Sequence, residues 1–120
     1  MVSNYKEIAS QFCKYYYGKL DLSLPDIKPL YKDGALITFN GDEFLGVENY
    51  FNRLKASFNS ISAKHIPLII NSQPVGANNI LISVYVERFC NFTKTCFYET
   101  FLLEAMNGTF YIINNIVCNV

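Results

Sequence analysis

The chain has 120 residues, with 10 Lys+Arg against 10 Asp+Glu and a formal charge of zero. That length predicts a single domain over residues 1–120, and the charge balance excludes a partner held through phosphate charge, whether nucleic acid or an anionic membrane surface. Hydrophobic residues make up 51%, aromatics 16% and charged residues 17%, which excludes a disordered chain and places part of the nine Tyr and ten Phe at a partner interface or in an open pocket.

The first residues, Met1 to Glu7, are polar and include an acid, with no apolar signal core behind them. No stretch approaches the roughly 20 apolar residues of a spanning helix. The chain therefore reads as cytosolic or nuclear. Tyr5, Ile8, Ala9, Phe12, Cys13 and Tyr16 recur at the spacing of one helix face. Asn4 with Glu7 reads as a capping box, and Gly18 as the stop. Pro25 and Pro29 bracket a short second helical piece, and Asp33-Gly34 reads as a turn. Ala35 to Phe39 is a strand. Asn40-Gly41 is a hairpin turn, because both central residues of a type I′ turn need φ > 0. Glu43 to Leu45 returns. Gly46 opens a helix carrying Val47, Tyr50, Phe51, Leu54 and Phe58 at helical spacing.

Beyond Phe58 the period changes to two. Ile66 to Ile70 is strand-like, with Pro67 placing it on an edge or at a bulge. Ile80, Ile82, Val84 and Val86 alternate along the next strand, and Thr95 to Glu104 forms another. Asn107-Gly108 is a second hairpin turn. Strict alternation in the last strand puts Phe110, Ile112 and Ile116 on one face and Tyr111, Ile113 and Val117 on the other. This order predicts an α+β fold, with N-terminal helices packed on one face of a bent antiparallel sheet. A second subunit is the simplest cover for the other apolar face.

The inventory for chemistry is thin. There is one His and no Gly-rich phosphate loop. Cys13, Cys90, Cys96 and Cys118 contain no CxxC pair, so no metal site is expected, and they read as small buried hydrophobes. Asp21 with His65 offers either acid–base work on a small ligand or a hydrogen-bonded tie between helix and sheet. The tie is favoured, since nothing supplies a second catalytic group. No cofactor and no enzymatic activity are expected. The turn Asn40-Gly41-Asp42-Glu43 reads as a solvated hairpin before it reads as a contact patch. Tyr5, Phe39, Phe44, Phe58, Phe89, Phe92 and Phe97 exceed what one small core requires. Packing takes most of them, and a cleft that receives a partner's Phe is the sharper alternative.

Short pieces spread over nearly the whole chain together resemble the nuclear transport factor 2-like family. They are Phe12 with Tyr16-Tyr17, Leu20-Asp21, Leu30-Tyr31, Leu36 to Gly46, Leu54 to Phe58, His65, Gln73-Pro74, Ile82 to Val84, Phe101 to Leu103 and Tyr111 to Asn115. The resemblance implies a cone-like roll that homodimerises through its sheet. It also implies binding of the GDP form of the small GTPase Ran and of FxFG repeats of nucleoporins, with residence in cytoplasm, nucleus and the nuclear pore complex. On this resemblance Phe39, Asn40, Phe58, Ile61, Ile116 and Val117 correspond to the cavity that receives a Phe of Ran. Tyr5 corresponds to the aromatic that holds FxFG repeats, and Asp21 with His65 to a polar pair inside the cone.

The chain departs from the family pattern at two acidic places. Asn40 stands where the family has an acid, and Cys90 to Thr95, with Lys94, stands where it has an acidic loop. These departures fit an alternative of the same fold, the small subunit of a heterodimeric mRNA export receptor. A small-molecule isomerase or dehydratase of this fold is a third reading, and it calls for more inward polar groups.

Overall fold

The computed structural model describes residues 1–58 and 63–120. Helix α1 spans Tyr5–Leu22 and buries Ala9, Cys13, Tyr16 and Tyr17, the expected face plus one neighbour. Asn4 makes no side-chain cap; its carbonyl instead accepts the Ile8 N–H at 3.1 Å. Gly18 does not end the helix. Its cost of about 1 kcal/mol relative to Ala is small beside the burial of Tyr16 and Tyr17 immediately before it. A 3-10 helix, Leu24–Leu30, follows with Pro25 in its first turn and Ile27 buried.

Strand β1, Tyr31–Phe39, runs straight through Asp33-Gly34. The expected turn there is a bulge: Gly34 has φ 77°, and the pairing register shifts between Tyr31 and Leu36. Asn40 (φ 48°) and Gly41 (φ 90°) make the tight turn into β2, Asp42–Leu45. Helix α2, Val47–Phe58, buries Tyr50, Phe51 and Leu54. Four long strands follow: β3 (Ala63–Val75), β4 (Asn79–Cys90), β5 (Thr93–Met106) and β6 (Thr109–Asn119).

The strands form one six-stranded sheet in the order β2-β1-β6-β5-β4-β3. Its neighbours are antiparallel except β1 and β6, which are parallel. The expected antiparallel sheet is thus mixed at one joint. After the β1–β2 hairpin the chain crosses through α2 to the far edge, then meanders back to meet β1 in its own direction. β3 lies on that far edge, where Pro67 and Pro74 cost no ladder bond, and a bulge sits between Pro67 and Ile69.

The sheet curls around α1, and its inward residues form the core. Ile80, Ile82, Val84 and Val86 of β4 meet Phe97, Phe101 and Leu103 of β5 and Ile112 and Val117 of β6. Phe101 lies edge-on to Phe12 and Tyr16, both at 4.9 Å between ring centres. Strict alternation fails in β6, because the β5–β6 register slips between Leu102 and Leu103. One extra residue reverses the faces beyond it. Ile112 and Val117 therefore both point inward, while Ile116 points out and is 50% exposed. The cysteines also depart from expectation: Cys13 alone is buried, Cys90 and Cys96 are half-buried, and Cys118 is exposed.

Urea denaturation of Phe101→Ala is expected to show a loss of about 3–5 kcal/mol, the cost of emptying a core aromatic site. The fully exposed Phe92 serves as the contrast, and Phe92→Ala is expected to stay within about 0.5 kcal/mol of the parent. A mild Phe101→Ala would show that the core repacks around this position.

Candidate functional site

At the open end of the roll a cavity of about 370 Å³ is walled by every major element. Tyr16 and Leu20 come from α1, Phe39 and Asn40 from the end of β1, and Tyr50, Arg53 and Leu54 from α2. His65, Arg88, Thr95, Phe97, Glu99, Val117 and Asn119 come from the four long strands. The register explains the last group. His65, Arg88 and Thr95 pair across β3, β4 and β5 and continue the inward alternation of the core strands past the point where α1 fills the cone.

His65 is held by Asp21 at the end of α1. Its backbone N–H donates to both carboxylate oxygens, at 3.2 and 3.0 Å, and its Nδ1 meets Oδ1 at 2.6 Å. Burial lowers the imidazole pKa more than the Asp21 carboxylate raises it. A neutral ring therefore donates its Nδ1–H to Asp21. The pair locks α1 to the edge strand, which is the structural form of the two sequence readings.

A second polar cluster, built around Glu99, has no motif in the sequence. Glu99, only 2% exposed, accepts the Tyr17 hydroxyl at Oε1 (2.7 Å) and the Asn115 amide at Oε2 (2.9 Å). Asn115 also donates to the Thr100 carbonyl at 3.1 Å. Its Oδ1 accepts the Tyr31 hydroxyl at 2.7 Å. Tyr31 has then spent its proton, so the 2.9 Å contact between hydroxyls is a donation from Tyr16 to Tyr31. The donors all run toward one carboxyl group. Burial pushes Glu99 up to about 7, against the two hydrogen bonds that favour its charged form. Burial first, and the charge of Glu99 second, push the Cys13 thiol up to about 12, so it is inert. A signal for Glu99 was present: it shares the inward register of Phe97, Phe101 and Leu103.

The structure brings Phe39, Asn40 and Val117 of the expected cavity residues together. Ile116 lies on the opposite face, in a groove of about 460 Å³ with Leu36, Phe44, Leu45 and Asn114. Ile61 and the side chain of Phe58 lie outside the described residues. Tyr5 opens α1 and packs half-buried against the core. Asn40 carries no charge to offer; its Oδ1 accepts the Asn119 N–H at 2.7 Å, and its own N–H donates to the Val117 carbonyl at 2.9 Å. Lys94 pairs with Glu87 at 3.1 Å. The cavity rim also holds Arg53, 2.8 Å from Asp42 and over the Phe39 ring at 5.3 Å.

Glu99 makes stability depend on pH. The carboxyl moves from an ordinary 4.5 to about 7 on folding, so the folded chain holds the proton more tightly. The stabilising contribution is whole below about 4.5 and is lost as pH rises toward 7. The span corresponds to about 3 kcal/mol. Denaturation followed from pH 4.5 to 7.5 is expected to show this decline in the parent and a flatter profile in Glu99→Gln. Parallel profiles would assign the decline to other groups.

The Nuclear transport factor 2 (NTF2) domain model matches residues 8–118. A nuclear transport factor 2 from Candida albicans is 26% identical over 119 residues, covering 97% of this chain and 95% of the relative. Among solved structures, nuclear transport factor 2 from Cryptosporidium parvum superposes with a TM-score of 0.87 at 23% identity, covering 97% of this chain and 94% of the other. The yeast UBP3-associated protein BRE5 superposes at 0.84 with 25% identity, covering 99% and 98%. With the curled sheet, the cavity and a domain match over most of its length, the chain belongs to the nuclear transport factor 2 domain family.

Proposed function

We propose that this chain is a nuclear transport factor, a homodimer that binds Ran-GDP in the cavity and FxFG nucleoporin repeats beside Tyr5. It would move between cytoplasm and nucleus through the nuclear pore complex. The observation that supports this reading is the cavity itself. Its 370 Å³ is ample for a phenyl ring, since a void of about 150 Å³ takes up benzene. Leu20, Phe39, Phe97 and Val117 give it apolar walls. The names of relatives such as that from Candida albicans support the transport role.

One inserted Phe contributes about 1.5–3 kcal/mol of transfer energy. Binding through such a site is weak and fast, and strength comes from repeated contacts. The outer sheet face is the expected dimer surface. Leu36, Ile69, Tyr98 and Ile116 are exposed there, and Tyr85 packs on Tyr98 at 5.0 Å. An enzymatic role draws little support, although a scytalone dehydratase-like protein shares the fold at 12% identity. The buried groups capable of acid–base work are engaged within the chain, Glu99 by Tyr17 and Asn115 and His65 by Asp21.

A second reading, the small subunit of a heterodimeric mRNA export receptor, rests on Asn40 and Lys94. The first is uncharged and engaged by Asn119, and the second is basic and paired with Glu87. Neither offers the acid that a basic partner surface would meet.

Calorimetric titration against Ran separates the readings. Ran-GDP is expected to bind and Ran-GTP not, and Val117→Trp, which fills the cavity, is expected to weaken binding more than tenfold. Tyr5→Ala is expected to weaken an FxFG peptide while leaving Ran binding intact. No heat with either nucleotide form would remove the Ran reading in favour of the export-receptor subunit.

Sedimentation equilibrium of the free protein is expected to give the mass of two chains, and Ile116→Glu that of one. A single-chain mass for the parent would sink the homodimer.

A further inference from the structure

The wall of the cavity contains a carboxyl group that the fold has already engaged. Glu99 lines the cavity from β5 and is 2% exposed. Water therefore reaches this carboxyl only from the cavity side. Within the protein it is met by two neutral donors, the Tyr17 hydroxyl at 2.7 Å and the Asn115 amide at 2.9 Å. Two such bonds offset part of the cost of a buried charge, and water in the cavity supplies the rest of its solvation. A ring seated against Phe39, Phe97 and Val117, which line the same cavity, displaces that water and gives a carboxylate nothing in return. The neutral acid loses far less, since each oxygen keeps a lone pair for its donor.

The other titratable and charged groups that face Glu99 hold their charge near pH 7. On α1, Cys13 is pushed up to about 12, and Tyr16 and Tyr17 are raised well above the ordinary tyrosine value. Tyr31 on β1 and Tyr50 on α2 are raised likewise. All five owe this first to burial. His65 on β3 is lowered from 6.5 by burial and so gains charge only on the acid side. Arg53 on α2 and Arg88 on β4 stay cations throughout the physiological range. Asp21 and Asp42 stand behind the wall, engaged by His65 and Arg53. β6 contributes the uncharged Asn115. Between pH 6.5 and 8, Glu99 is thus the group in the described wall that titrates, since burial pushes it up to about 7.

We propose that an aromatic group enters this cavity together with one proton, which Glu99 takes up from solvent. The inference rests on the reading of the cavity as an aromatic-accepting site and adds a dependence of its occupancy on pH. The ring favours the protonated carboxyl, so affinity is whole below about 7 and is lost as pH rises through it. By linkage the occupied cavity holds the proton more tightly than the empty one.

The experiment uses the full chain, labelled with nitrogen-15 and carbon-13, and N-acetylphenylalaninamide, a neutral probe with no titrating group of its own in this range. Amide shifts of Phe39, Phe97 and Val117 report occupancy, and the side-chain carboxyl carbon of Glu99 reports its protonation. Affinity for the probe is expected to fall at least about threefold from pH 6.5 to 8. The Glu99 midpoint is expected to rise by about one pH unit when the probe is bound. Glu99→Gln is expected to bind the probe equally at both pH values. Gln keeps one acceptor where Glu has two; should that disturb the fold, the carboxyl carbon of the parent decides by itself.

A flat affinity, with a Glu99 midpoint that the probe leaves in place, overturns the proton coupling and leaves the aromatic-accepting cavity standing. A pH dependence retained in folded Glu99→Gln overturns it as well, by assigning the proton to another group. No amide shifts at either pH, up to the solubility of the probe, overturn the cavity reading and the coupling with it.

Discussion

The carboxyl group of Glu99 is the point to which the rest of the fold is tied. It receives a hydroxyl from α1 through Tyr17 and an amide from β6 through Asn115, and Asn115 in turn receives β1 through Tyr31. A helix and three strands thus share one buried acceptor. Polar groups this deep are tolerated only when every partner is supplied, so the relative placement of these elements has little freedom. The parallel joint between β1 and β6 is held by the same chain, since Tyr31 and Asn115 sit on its two sides. The cavity exists because the elements so fixed close around α1 at one end and diverge at the other.

Much of this was legible in the sequence, and the failures have physical causes. The α1 face was readable because Ala9, Cys13 and Tyr16 repeat at helical period and lie against the sheet. The Asn-Gly hairpins were readable because the left-handed backbone they require is present at Asn40 and Asn107. Gly18 misled because a glycine's cost is a local quantity, and the burial of the two tyrosines before it is not. Asp33-Gly34 misled because the same positive φ serves a turn or a bulge, and only the partner strand decides between them.

The site shows the same division. Phe39, Asn40 and Val117, expected at a cavity, and His65, expected in a polar pair with Asp21, all line this one. Ile116 does not, because the slip beside Leu103 reverses the faces of β6, and a slip has no signature in one strand taken alone. Glu99 was hidden by its residue type. Acids are rarely buried, so register had to outweigh composition, and the sequence weighed composition. Arg88 was hidden likewise at the end of an apolar alternation.

The prolines of β3 carry a consequence for the molecule in solution. A chain with no net charge has little long-range repulsion to keep copies apart, and a sheet with open edges offers each copy a template for strand addition. One edge of this sheet is the thirteen-residue β3, interrupted by Pro67 and Pro74 and by a bulge. The other is β2, four residues long. Neither presents an unbroken row of backbone groups on which a second chain could grow. Strand-by-strand growth is therefore hindered at both edges, so the low net charge of the chain does not leave the sheet open to extension.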